Sequence, residues 1–151
     1  MPKKSIQLSA SLEDYLEAIY NIISEKQVAR GKDISSLLEV SGASVTEALR
    51  SLSQKGLINY APYEAITLTE VGCEVAREIV HRHNTLKQFF IKILDISEDI
   101  AEIGACRVEH AAPQVIIDQM VNFIEFIESY PIDSAQLAKD FTRFCREKPV
   151  D

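Results

Sequence analysis

A chain of 151 residues, 46% hydrophobic and 26% charged, has the make-up of an ordinary globular protein with one large or two small cores. No apolar run reaches the length of a membrane span, and the start M-P-K-K-S-I-Q lacks the apolar core of a signal peptide, so a cytoplasmic protein with no membrane partner is the expectation. The net charge of −7 argues against a nucleic-acid ligand only until it is divided: residues 1–60 carry seven basic and seven acidic side chains, so the whole excess lies in 61–151 and a basic face in the N-terminal part is allowed.

Few glycines and long stretches of 3.6-residue periodicity predict a mainly helical chain. Ser11 reads as the N-cap of a helix running to about Glu25, with Leu12, Tyr15, Leu16, Ile19, Ile22 and Ile23 at helical spacing. Asp14 and Glu17 lie on its other side. By themselves they read as a capping-box carboxylate, three residues after the cap, and a solvated face. A short helix through Ile34, Leu37 and Leu38, a Ser41-Gly42 turn and a second helix carrying Val45, Leu49 and Leu52 to a stop at Gly56 make a helix-turn-helix pattern. Two strands, 57–60 and 65–68, follow around a turn containing Pro62, which turns the pattern into a winged helix-turn-helix with a two-stranded wing. In such a unit the second helix meets DNA, through Ala43, Ser44, Thr46, Glu47 and Arg50; Lys3, Lys4, Lys32 and Lys55 are candidates for phosphate contact.

Thr69 is placed to cap a long helix from Glu70 to about Leu94 whose apolar stripe of Val75, Ile79, Leu86 and Phe90 also holds His83; His81 points away, towards solvent. The next helix, 98–111, carries A-C-R-V-E-H at 105–110. There Cys106, Glu109 and His110 fall at i, i+3 and i+4, which gathers thiol, carboxylate and imidazole on one helical face able to hold a divalent cation. Glu102, four residues earlier, extends the face as a further candidate ligand. The three cysteines, Cys73, Cys106 and Cys145, are odd in number and far apart, which points to reduced thiols, one a candidate ligand and two packing residues. Pro113 opens another helix, apolar from Val115 to Ile127, and a last one spans about 134–147. So much apolar helical surface beyond the winged module predicts a second, all-helical domain that dimerises, with the boundary at 72/73.

The order S-L-E-D-Y-L-E-A-I-Y at 11–20, the winged module, H-R-H at 81–83 and A-C-R-V-E-H at 105–110 resembles the diphtheria toxin repressor and manganese transport regulator family, over roughly residues 8–130. The resemblance implies a homodimeric repressor that binds palindromic operator DNA when loaded with metal, and controls genes of metal homeostasis. It implies Asp14, Glu17, His83, Cys106, Glu109 and His110 as ligands. The Asp-Glu pair resembles the manganese branch and C-R-V-E-H the iron branch. A thiolate among carboxylates and imidazoles favours Fe(II), with Mn(II) next, while Zn, Co and Ni are expected to bind in vitro. Lys87 stands where the family generally carries an acidic ligand to an ancillary site, and the chain is expected to be the two-domain form without an SH3-like third domain. Two other classes compete: a small metallopeptidase using C-x-x-E-H, with Glu109 as general base, and a winged-helix interaction protein with a structural metal.

Overall fold

The computed structural model describes residues 6–129 and 133–149, so Lys3 and Lys4 lie outside the described residues. The chain divides into two compact units, Met1–Val80 and His81–Asp151. The first holds α1 (Ala10–Lys26), α2 (Gly31–Leu38), α3 (Gly42–Gln54), β1 (Ile58–Asn59), β2 (Thr67–Leu68) and the first turns of α4 (Glu70–Lys92). As predicted, this is a winged helix-turn-helix: β1 and β2 pair antiparallel, Ile58 opposite Leu68 and Asn59 opposite Thr67. The strands are shorter than their apolar pattern suggests, because Pro62 and Tyr63, the latter at φ 64°, divert the chain between them. A third segment extends the small sheet, where Ala29 and Ile66 exchange backbone hydrogen bonds of 3.0 and 2.7 Å.

The amphipathic faces read from the sequence meet in one core. Leu16 and Ile19 of α1, Ile34 of α2, Val45, Leu49 and Leu52 of α3, Leu57, Ile66, and Ala76 and Ile79 of α4 are buried together. Each large aliphatic side chain so buried contributes roughly 1.5–3 kcal/mol. Val75, Ala76 and Ile79, on the first three turns of α4, belong to this core, and the first compact unit runs to Val80 within that helix.

The entry to α4 is tight. Thr69 Oγ1 accepts the Gly72 N–H at 3.0 Å, as the predicted cap should, and donates to the Gly56 carbonyl at 2.7 Å. These bonds draw the helix start so close to Leu57 that a Cβ on Gly72 would lie 1.8 Å from the Leu57 carbonyl oxygen. The α1 cap differs from the sequence reading. Ser9, not Ser11, accepts the N–H of Leu12 at 3.2 Å, because the helix starts at Ala10 and Ser11 already lies in its first turn. Asp14 therefore sits beyond the capping positions.

The second unit holds the rest of α4, α5 (Glu98–Ala111), α6 (Gln114–Ser129) and α7 (Ser134–Glu147). One buried cluster gathers Leu86, Ala105 and Ile124, with Phe89, Phe90, Val108 and Met120 packed around them, and Ala101, Ile117, Val121 and Ile127 are buried as well. By contrast, Ile100 and Ile103 of α5 and Val115, Ile116, Phe123 and Phe126 of α6 are all about half exposed or more. Buried residues are lacking among those of α7. Cys145 on that helix is exposed, so it is not the packing residue the sequence suggested, while Cys73 and Cys106 are half-buried. None of the helices among the described residues is long and apolar enough to cross a membrane.

Candidate metal centre and nucleic-acid interface

Within the second unit, α4 and α5 bring His83, Glu102, Cys106, Glu109 and His110 to one neighbourhood. The period of α5 places Glu102, Cys106, Glu109 and His110 on the side that faces His83. Glu109 is at the centre: its side chain has no exposed surface, and its Oε1 lies 3.4 Å from His83 Nδ1 and 3.2 Å from His110 Nε2. Burial pushes the Glu109 carboxyl up, but hydrogen bonds from His110 and His83 outweigh it and hold the group below the usual carboxylate range. Cys106 Sγ lies within 4.8 Å of a His110 ring nitrogen. The apolar-stripe position of His83 does bury the ring, at 6% exposure, yet both its nitrogens face carboxylates.

A divalent cation fits this donor set. Glu109 Oε2 is buried and has no hydrogen-bond partner among the described residues. An ionised oxygen left in that state costs several kcal/mol unless a cation compensates it. Two imidazoles, a thiol and a carboxylate within one half-buried cluster are ligands of transition-metal type, not of calcium or magnesium type.

Glu102 is held differently. Its Oε1 lies 2.8 Å from His83 Nε2, and its Oε2 accepts from Lys87 Nζ at 3.0 Å; Lys87 also reaches Glu98 at 3.4 Å. Burial raises the Glu102 carboxyl, but Lys87 and His83 lower it further, to a net position below its ordinary value. This link between α4 and α5 was not read from the sequence, since it joins side chains on two helices whose packing no local pattern specifies. The same holds for His81, which is exposed but paired with Glu125 of α6.

In the first unit, Asp14 and Glu17 occupy one side of α1 and are both half-buried, so Glu17 does not lie on the solvated face that its local pattern allows. The α3 surface follows its sequence pattern. Val45, Ala48, Leu49 and Leu52 are buried, whereas Ala43, Ser44, Glu47 and Arg50 are exposed and Thr46 is half-exposed. Ser41 caps the helix by accepting the Ser44 N–H at 3.1 Å, and the Thr46 hydroxyl donates to the Gly42 carbonyl at 3.0 Å. Lys32 and Lys55 are exposed. Between α3 and the wing runs a groove of about 530 Å³ lined among others by Arg30, Lys32, Thr46, Arg50, Tyr60 and Tyr63. Arg30 and the two tyrosines escaped the sequence reading. Residues 28–30, V-A-R, lie between two helices with no local pattern that borders them on the recognition helix, and residues 61–65, A-P-Y-E-A, lack the basic residues usual for a wing.

Comparison with known proteins identifies both units. Residues 7–66 match the family model of the iron dependent repressor N-terminal DNA-binding domain, and residues 69–136 match that of the iron dependent repressor metal-binding and dimerisation domain. The chain belongs to the diphtheria toxin repressor and manganese transport regulator family. Among its relatives is a helix-turn-helix transcriptional regulator of Methanocaldococcus jannaschii, 38% identical over 78% of this chain and 95% of that protein. Another is the regulator MntR of Bacillus pumilus, 33% identical over 84% of this chain and 88% of MntR. The structure of T. acidophilum IdeR has the same fold, with a TM-score of 0.63 at 23% identity over 82% of this chain; the chain spans 56% of IdeR.

The family is one of metal-dependent transcriptional repressors rather than enzymes, so the peptidase reading of C-x-x-E-H is not carried further. The metal-binding and dimerisation match spans His83, Glu102, Cys106, Glu109 and His110; the DNA-binding match spans Asp14, Glu17 and all of α3.

Proposed function

We propose that this protein is a homodimeric repressor that engages palindromic operator DNA when loaded with Fe(II) or Mn(II), and so controls genes of metal homeostasis. The observation that carries the proposal is the buried Glu109 carboxylate, with one oxygen facing two imidazoles and the other without a hydrogen-bond partner among the described residues, on the same chain as a winged helix-turn-helix. His83, Cys106, Glu109 and His110 would hold the metal, joined by Asp14 and Glu17 of α1. The metal would supply positive charge that draws the carboxylates of α1, the imidazole of α4 and the thiolate, carboxylate and imidazole of α5 into one set.

The ligands would then act as a clamp between reader and dimeriser. A dimer must present its two recognition helices about 34 Å apart, one DNA turn, to enter successive major grooves. A ligand set drawn from both units favours a single orientation of the reader, by a coupling energy equal to the difference in metal affinity between the ordered and loose states. Ala43, Ser44, Thr46, Glu47 and Arg50 would face base edges, with Lys32 and Lys55, joined by Lys3 and Lys4, on phosphates. The thiolate of Cys106 is the reason to place Fe(II) ahead of Mn(II); Zn, Co and Ni bind such donor sets well in vitro whatever the physiological effector.

The test is DNA binding by the full chain, using palindromic duplexes selected from a random pool, titrated anaerobically with Fe(II), Mn(II) or chelator. Binding that strengthens at least tenfold with metal is the expected result. Equal affinity with and without chelator overturns the reading in favour of a winged-helix protein whose metal is structural.

A further inference from the structure

Resting on that reading, we infer that Glu102 is not a metal ligand but a positioning residue, held by Lys87, which orients His83 so that its Nδ1 serves the metal. The geometry points there because both oxygens of Glu102 are already engaged, Oε1 by His83 Nε2 at 2.8 Å and Oε2 by Lys87 Nζ at 3.0 Å. The opposite ring nitrogen, Nδ1, faces Glu109, the buried carboxylate with an oxygen to spare. With metal bound, a histidine that donates one N–H to a carboxylate offers the lone pair of its other nitrogen, so Nδ1 would give up to the metal the hydrogen bond it makes to Glu109 in the metal's absence, with ring orientation fixed by the Nε2 contact.

The burial of the three groups agrees with this division. The His83 side chain is 8% exposed and Glu109 fully buried, as metal ligands require, while Glu102 is 52% exposed and sits at the rim. Lys87, itself only 19% exposed, bonds both Glu102 and Glu98, so two α5 carboxylates hold its ammonium in place. The positive charge of that ammonium, 3.0 Å from Glu102 Oε2, disfavours a further cation there. Glu102 thereby keeps a fixed, singly directed role.

The experiment measures Mn(II) stoichiometry and affinity by electron paramagnetic resonance on the full chain, as wild type, Glu102→Ala, Glu102→Gln and Lys87→Met. Helicity by circular dichroism establishes that each variant is folded. Outer-shell partners of ligating histidines typically affect affinity about 10- to 100-fold. Glu102→Ala should therefore lose affinity in that range with the number of ions unchanged, and Glu102→Gln, whose amide oxygen still accepts from Nε2–H, should recover most of it. Lys87→Met should weaken binding less than Glu102→Ala. In the Zn(II)-loaded wild type, long-range proton–nitrogen correlation should show His83 with Nε2 protonated and Nδ1 bound.

Loss of a bound ion in Glu102→Ala, a gained ion in Lys87→Met, unchanged affinity in Glu102→Ala, or metal at Nε2 would each overturn the assignment while leaving the repressor reading intact. Wild type that binds no Mn(II) or Zn(II) would overturn both.

Discussion

Cys106 sets the chemical character of the proposed centre, because it is the one soft donor in a set otherwise made of carboxylates and imidazoles. Replacing the thiol with a carboxylate keeps the negative charge and the reach but removes that softness, so Cys106→Glu should shift the DNA-binding response from Fe(II) towards Mn(II). Anaerobic titrations of wild type and variant check this, and a variant with an unaltered metal order would make Cys106 a packing residue. Much of the centre was legible, since A-C-R-V-E-H spaces its donors at i, i+3 and i+4 and a helix puts these on one face. The network behind it was not. That His83 would point one nitrogen at Glu109 and the other at Glu102 depends on how α4 packs against α5, which no local periodicity records. For Asp14 the local signal misled, because a cap reading was available at Ser11 and the helix begins two residues earlier, with Ser9 as its cap.

At the level of elements, the ends of the helices and the loops between them carry the specificity of the first unit. Gly72 is the sharpest case, because the start of α4 is bonded to both Gly56 and Leu57 and has no room for a side chain. Gly72→Ala should destabilise this unit by roughly 1–3 kcal/mol, and lower its melting midpoint by about 5–20 °C; a melt that coincides with wild type would show the approach to be looser than it looks. The start of α2 is fixed by charge. Asp33 accepts from Lys26 at 3.2 Å and from the Arg30 N–H at 3.2 Å, and the Lys26 hydrogen bond is the main reason its carboxyl lies below its ordinary value. A carboxyl depressed in the folded state adds stability above its unfolded value, and that stability is lost as pH falls through the folded one. Asp33→Asn should therefore melt below wild type at neutral pH and level with it in strong acid; a gap that persists in acid would point to packing instead of charge. On α3, Arg50→Ala should weaken operator binding while leaving metal affinity and dimerisation intact, and unchanged binding by gel shift would show that another element reads the DNA. The helix-turn-helix could be read in advance because its buried and exposed faces alternate with helical period. The wing could be read only in outline, since β1 and β2 keep two residues each and Tyr63 turns outward at positive φ.

For the whole molecule, the second unit has more apolar surface than it can bury alone. One face of α6, with Ile117, Val121, Ile124 and Ile127, is buried, whereas Ile103 on α5 is 55% exposed and Phe123 on α6 is 59% exposed. Side chains of this size left open on neighbouring helices mark an interaction surface, and a stable pair of subunits covers about 800 Å² on each partner. A second copy of the chain is the occupant that a dimerisation domain requires, and the exposed face of α6 is where an isologous contact would centre. Phe123→Asp places a charge in the middle of that face without touching the core, the proposed ligands or α3. The variant should stay helical by circular dichroism, sediment as a monomer, and bind Mn(II) within about threefold of wild type. Operator binding should fall far more steeply, because a monomer engages one half-site and forfeits the second major groove. Sedimentation velocity and gel shift on the same preparation separate the possibilities: a variant that still sediments as a dimer moves the interface off α6, and a monomer that still binds the full palindrome at wild-type affinity would show that pairing of the subunits is not what couples the two recognition helices.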